Sequence, residues 1–140
     1  MNGTLLAFDF GEKRIGIAVG ESLLKQAHPL ATIHSERNDI RFSTIEQLIA
    51  EWQPVGLIVG RPLATDGSAH GMTARCTRFA NQLRGRFNLP VSEVDERYTS
   101  VDAASQLHAA GLNGRQAKNH LDSVAAQLIL QGYFDVANDA

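Results

Sequence analysis

Apolar residues recur along this chain with two different periods, and the change from one to the other divides it into elements. The first third is strand-like: Thr4–Phe10, a tight Gly11-Glu12-Lys13 connection, Arg14–Glu21 and, after a polar loop, 28–34. Three strands joined by short loops predict an antiparallel meander. The period then becomes helical, with Phe42, Ile45, Leu48, Ile49 and Trp52 on one face until Pro54 stops it, and Ser43 and Glu46 offering a capping box. Residues 55–60 form a short continuous apolar run, the signature of a strand buried on both faces in a parallel sheet. A loop over 61–70, holding Pro62 and Asp66-Gly67, precedes a helix over Gly71–Phe87. Its inner arc is Met72, Cys76, Phe79, Ala80, Leu83 and Phe87. A fifth strand is expected over 90–95, a helix capped by Thr99 and Asp102 runs to about Ala110, and Gly111 ends it. After a polar loop, the last helix is expected over 120–136.

The resulting order, βββαβαβαα, predicts an α/β fold: a mixed five-stranded sheet, its first three strands antiparallel and its last two parallel, with helices on its faces. No repeat or Pro/Gly/Ser-rich linker divides the 140 residues, so one domain over 1–140 is expected. A domain of this size buries about two-thirds of its unfolded surface and needs no metal staple, so a metal would serve chemistry. The single cysteine, Cys76, suits a reducing compartment. The N-terminus lacks a basic leader and no run approaches the ~18 apolar residues of a membrane span, so a cytoplasmic protein without membrane partners is expected. Thirteen Lys and Arg against fifteen Asp and Glu give a net charge of −2, which argues against a uniformly basic nucleic-acid coat and leaves room for a basic patch.

Three acidic positions stand out. Asp9 interrupts an otherwise apolar strand, where an ionised carboxylate must be paired, metal-bound or at the strand's exposed end; the alternative is an Asx-type turn residue beside Gly11. Asp95 and Glu96 end the last strand, at the edge where open α/β sheets place their sites. Neighbouring strand residues face opposite ways, so at most one of the two serves a site and the other the surface; the alternative is that Asp95-Glu96-Arg97 is a solvated loop with a weak ion pair. Asp122 falls on the sheet-facing arc of the last helix with Ala125, Ala126 and Ile129, whereas Ser123, Gln127 and Gln131 form a polar stripe. In that reading Asp122 stands at the start of the helix, and the alternative is that it complements the helix dipole.

Separated carboxylates of this kind are a ligand set for Mg²⁺ or Mn²⁺, hard cations that take oxygen donors and leave positions for water and phosphate. Two such ions about 4 Å apart support phosphodiester hydrolysis without a nucleophilic side chain. The chain lacks a Gly-x-Ser-x-Gly elbow, a Cys-x-x-Cys pair, a His-Glu-x-x-His pair and a Walker-type loop. Of the five histidines only His120, two residues before Asp122, could assist proton transfer or contact a phosphate. Residues 67–92 carry Arg75, Arg78, Arg84 and Arg86 and no acid. Arg75, Arg78 and Arg86 share one flank of their helix, which suits either a phosphate track or a solvated face. Lys13, Arg14, Arg61, Arg97, Arg115 and Lys118 are expected in loops or at strand ends, where phosphate contacts arise.

Four segments carry a resemblance: Leu-Leu-Ala-Phe-Asp-Phe-Gly-Glu-Lys-Arg-Ile-Gly-Ile-Ala-Val (5–19), Ile-Val-Gly-Arg-Pro-Leu (58–63), Val-Asp-Glu-Arg-Tyr-Thr-Ser (94–100) and Leu-Asp-Ser-Val-Ala-Ala-Gln-Leu-Ile-Leu-Gln-Gly-Tyr (121–133). In order, spacing and total length they resemble the YqgF/RuvX family. The resemblance implies a three-layer RNase H-like fold related to the RuvC Holliday-junction resolvases, and a nuclease that matures the 5' end of pre-16S rRNA. It implies Asp9, Glu96 and Asp122 as the catalytic, metal-binding acids, favouring Glu96 over Asp95. Two positions depart from the family pattern, which usually has Leu at Arg61 and a Lys-Gly-Lys-like run at Lys118-Asn119-His120. The added charge at Arg61 would strengthen phosphate binding, and His120 would weaken it above roughly pH 6.5.

The favoured expectation is a metal-dependent endonuclease acting on precursor rRNA, with ribosomal particles as associated partners and a monomer or weak homodimer as its state. Cleavage of branched DNA by a junction resolvase is the near alternative, and that reaction would demand a dimer. Two other classes compete. The Asp-Phe-Gly and Lys-Arg-Ile-Gly-Ile-Ala segments also look like the phosphate loop of sugar kinases and actin-like ATPases, which need two such domains. A non-catalytic RNA-binding or ribosome-assembly module would use the same carboxylates structurally.

Overall fold

The computed structural model describes residues 3–61, 71–95 and 114–139. Five strands, β1 (Thr4–Phe10), β2 (Arg14–Glu21), β3 (Gln26–His34), β4 (Gly56–Arg61) and β5 (Val91–Asp95), form one sheet in the order β3-β2-β1-β4-β5. The β1–β2 and β2–β3 pairs are antiparallel, and β1–β4 and β4–β5 are parallel, as the sequence predicts. The central strand β1 therefore belongs to both halves of the sheet. Gly56 to Gly60 in β4 are all buried, in agreement with a strand covered on both faces.

Side-chain alternation sorts the strands between two apolar layers. Leu6, Phe8, Ile15, Ile17, Leu57 and Val59 point to α1 (Asn38–Trp52) and α2 (Gly71–Phe87), where they meet Phe42, Ile45, Cys76, Phe79 and Leu83. Leu5, Ala7, Ala18 and Ile58 point the other way, onto Ala126, Ile129, Leu130 and Phe134 of α3 (Gly114–Asp139). The result is three layers, helices on both faces of a mixed sheet. No helix among the described residues is long and apolar enough to cross a membrane.

Several expected details are corrected. Ser43 and Glu46 lie inside α1, which begins at Asn38 after Arg37, so they form no capping box. The first turn is supported instead by Asp39, which Arg37 grips through two hydrogen bonds. At the other end Gln53 takes a left-handed conformation (φ 47°) and donates its N–H to the Ile49 carbonyl, just before Pro54. Trp52, assigned to the inner face, is 37% exposed. α3 starts at Gly114 rather than near His120: Arg115, Gln116, Ala117 and Lys118 are good helix formers, and a polar turn leaves no apolar mark to read. The helix expected over 99–110 lies outside the described residues.

The polar stripe assigned to α3 is also not a solvent face. Ser123 is buried, and two glutamines wrap the outer edge of β3. Gln127 donates from Nε2 to the Ala27 carbonyl (3.0 Å). Gln131 accepts the Ala27 N–H (3.1 Å) and donates to the Lys25 carbonyl (2.9 Å). Together with Pro29 these contacts occupy backbone groups that an edge strand otherwise leaves open to further pairing. Gln131→Ala is expected to lower stability by about 1 kcal/mol, read as a lower urea midpoint at unchanged slope. An unmoved midpoint would show that the clamp adds nothing.

Candidate active site at the end of the central strand

Asp9 is the next residue after Leu5 and Ala7 on the α3 face of β1. Its partner across the antiparallel ladder is Gly16 of β2, and cross-strand partners share a face. A Cβ built on Gly16 would stand 1.9 Å from the Asp122 carbonyl oxygen and 3.0 Å from its Cα. Only a residue without a side chain lets the backbone of α3 come this close. Asp9 lies beside Gly16 in the sheet and the Asp122 backbone lies over it, so one glycine lets the two backbone positions that carry these acids approach each other.

Asp122 stands well inside α3 rather than at its start, so the helix-dipole alternative fails for a positional reason. Its side chain is 20% exposed, and Arg14, the first residue of β2, places Nε 3.0 Å from Oδ2. The contact is an ion pair rather than an aligned hydrogen bond, and Oδ2 is itself shielded from solvent. An acid and a base at this depth attract more strongly than an exposed pair would.

The turn between Asp9 and Arg14 is held by a residue that the sequence reading does not single out. Arg41 of α1 is 3% exposed and donates to the carbonyls of Gly11, Glu12 and Ser35, with its guanidinium 5.4 Å from the Phe10 ring centre. Burial lowers its pKa, opposed by the nearby Glu36, yet a guanidinium stays charged at neutral pH. The available signal was its spacing: Arg41 precedes Ile45 by four residues and Leu48 by seven, on the apolar face.

The other expected site residues are distributed unevenly. Lys13 is exposed on the β1–β2 turn. Arg61 ends β4 in register with Asp95 of β5, and its Nε is buried without a hydrogen-bond partner among the described residues. Alternation after Leu57 and Val59 puts Arg61 on the side of α1 and α2, away from Asp9. Of Asp95 only the backbone position is described, and Glu96 and Arg97 lie outside the described residues. Arg115, Lys118 and His120 belong to α3, which corrects the loop placement expected for the first two. Arg75 and Arg78 lie on α2, across the sheet from the carboxylates. Arg75 is paired with Glu12, Arg84 donates to the Val91 carbonyl (2.8 Å), and Arg86 stacks 4.0 Å from the Phe42 ring centre. The arginine stripe is thus partly committed to holding the fold.

Among the described residues no three acids, histidines or cysteines form a cluster. Asp9 and Asp122 stand on backbone positions that meet at Gly16, and both carry the hard oxygen donors that a divalent cation takes.

A mixed β3-β2-β1-β4-β5 sheet between helical layers, with an acid at the end of its central strand and a second acid on the covering helix, defines an RNase H-like protein. Solved structures agree on the fold. A Fowlpox virus resolvase bound to Holliday junction DNA gives a TM-score of 0.60 at 13% identity, covering 96% of this chain and 98% of the other. Thermus thermophilus RuvC in complex with a Holliday junction substrate gives 0.54 at 15% identity, covering 97% and 96%. The chain belongs to the RuvX family, described as Holliday junction resolvase, whose profile matches residues 3–136. A relative from Dechloromonas aromatica (strain RCB), 58% identical over 133 residues that make up 95% of this chain and 91% of the relative, carries the name "Putative pre-16S rRNA nuclease".

Gly16→Ala is expected to push α3 off the sheet, cost about 3 kcal/mol or more, and break the Arg14–Asp122 pair. Thermal unfolding measures the first effect and arginine side-chain NMR the last. A variant that melts like the wild type with the Arg14 signal unmoved would contradict the close approach.

Proposed function

We propose that this chain is a divalent-metal-dependent endonuclease that hydrolyses phosphodiester bonds in structured RNA, processing the 5' end of pre-16S rRNA. The observation that carries the reading is the pair Asp9 and Asp122, set together across Gly16 where β1 ends. The names of the relatives favour RNA over branched DNA as substrate.

Asp9 and Asp122 would hold Mg²⁺ or Mn²⁺, and a shielded Oδ2 facing a cation fits that role. Glu96 is the third acid in this reading. Val94 packs on the α3 layer, whereas Glu93 accepts a hydrogen bond from Thr77 of α2 (2.8 Å). The two-residue period of a strand, counted on from Val94, falls on position 96 and not 95. A bound divalent ion supplies an activated water and charge for the leaving oxygen. The protein's part is to fix the acids, exclude competing groups and offer cations to the phosphate. Arg14 pairs with Asp122, and its guanidinium would be freed to contact a bound phosphate when the acids hold a divalent ion. Lys13, on the exposed turn next to it, extends that positive edge.

Cleavage of a pre-16S 5'-end RNA and of a four-way DNA junction, each with Mg²⁺ or Mn²⁺, tests the reading. Wild type is expected to cut the RNA, and Asp9→Asn to lose at least about 100-fold, since even groups that only support a metal ligand cost 10–100-fold. Wild-type protein that binds both nucleic acids and cuts neither is a binding module; preferential cutting of the junction reassigns the substrate. Independently of cleavage, saturating metal should raise the melting temperature of wild type but not of Asp122→Ala. Arg14→Gln should melt lower without metal and gain a larger metal increment, because Asp122 loses its competing cation; an equal or smaller increment argues against that competition.

A further inference from the structure

On the side of the sheet away from Asp9 and Asp122, α1 and α2 part to leave a cavity of about 260 Å³. Its floor is aromatic, with the Phe10 and Phe79 rings 4.8 Å apart and the Phe42 and Phe79 rings 6.0 Å apart. Asn38, Gln82 and Arg78 bring amide and guanidinium donors to its wall, and Arg41 and Arg75 complete it. None of the residues lining it is acidic. The three guanidinium groups are not equivalent. Arg41 is used by backbone carbonyls and Arg75 by Glu12, while Arg78 is exposed and has no ion pair or hydrogen bond among the described residues.

The volume lies below the roughly 300–1,000 Å³ of drug-sized sites, which suits one small anionic group better than a duplex. Planar guanidinium and amide donors around such a space match phosphate oxygens. The position relates the cavity to the carboxylates. Phe10 follows Asp9 directly, and the turn that Arg41 clamps leads to Arg14 at Asp122. Lys13 and the Glu12–Arg75 pair mark the path over the turn from one side of the sheet to the other.

We propose that this cavity is a second phosphate subsite, taking a backbone phosphate of a single-stranded segment that passes over the β1–β2 turn from the carboxylates. The proposal rests on the nuclease reading for its ligand, but its test uses binding without cleavage, so the two can fail separately. The experiment titrates wild type, Arg78→Ala and Arg84→Ala with a single-stranded RNA oligonucleotide in EDTA across a salt series. Arginine side-chain NMR of the wild type with the same RNA, and with inorganic phosphate, accompanies it. The slope of log affinity against log salt should fall by about 0.7 in Arg78→Ala and stay at the wild-type value in Arg84→Ala, whose guanidinium is engaged outside the cavity. The Arg75 and Arg78 Nε–H signals should move with RNA. Equal slope losses in both variants would reduce the effect to general helix charge and overturn the subsite. Signals that move with inorganic phosphate and not with RNA would overturn the substrate path, as would an RNA that does not bind. A wild-type protein that binds RNA in this manner yet never cleaves would sink the nuclease reading alone.

Discussion

The contact between the backbone of α3 and Gly16 is the constraint on which the rest of this molecule depends. Strand β2 shows α3 a row of Gly16, Ala18 and Gly20, and a Cβ at Gly20 would stand 2.9 Å from the Phe134 ring and 2.6 Å from the Gln26 carbonyl. Small residues on the helix, Ala125 and Ala126, continue the same fit. Because the helix sits this low, its glutamines reach round to the edge of β3 and its Phe134 is buried to 2%. The cover of the β3 edge and the placing of Asp122 are consequences of one close approach, and interiors packed at crystal-like density have no slack with which to absorb its loss.

Charge follows the same layering. The acids of the candidate site lie with α3, whereas the arginines of the acid-free stretch lie with α2 on the opposite face. Arg14 stands 3.0 Å from Asp122 and offsets its charge. A net charge of −2 thus hides a local concentration of arginines on α2. Arg41 ties these layers together, since its base is on α1 and its donors hold the turn that carries Lys13 and leads to Arg14.

What could be read from the sequence was whatever leaves a periodic apolar mark. Both ends of β1, β2 and α2 agree with the observed ones, and the parallel burial of β4 was visible as a continuous run. The early turns of α3 were not, because Arg115 to His120 have no apolar face to mark them. Gln127 and Gln131 look like a solvated stripe until the position of β3 is known. Of the acids, Asp9 could be found from local sequence, as a charge in an apolar strand, and Asp122 from its place on a helical wheel. Their proximity could not, since it depends on a glycine's partner across the sheet and on a helix more than a hundred residues away.

The sheet register also explains why the end of β1 can hold a site. Asp9 is level with Gly16 on one side, and one step past the Phe8–Val59 pair on the other side comes Gly60, itself paired with Val94. Across the α3 face this row reads glycine, aspartate, glycine, valine, so the one charged group is flanked by residues with no side-chain bulk. Space around Asp9 is therefore set from the α3 side, where the Asp122 backbone and Arg14 lie. The parallel β4–β5 pair ends at Arg61 and Asp95, at the same end of the sheet as the β1–β2 turn. A purely antiparallel sheet would have sent β4 the other way and left Asp9 beside a single hairpin. The mixed sheet is what brings the C-terminal ends of β4 and β5 to the same end as the end of β1.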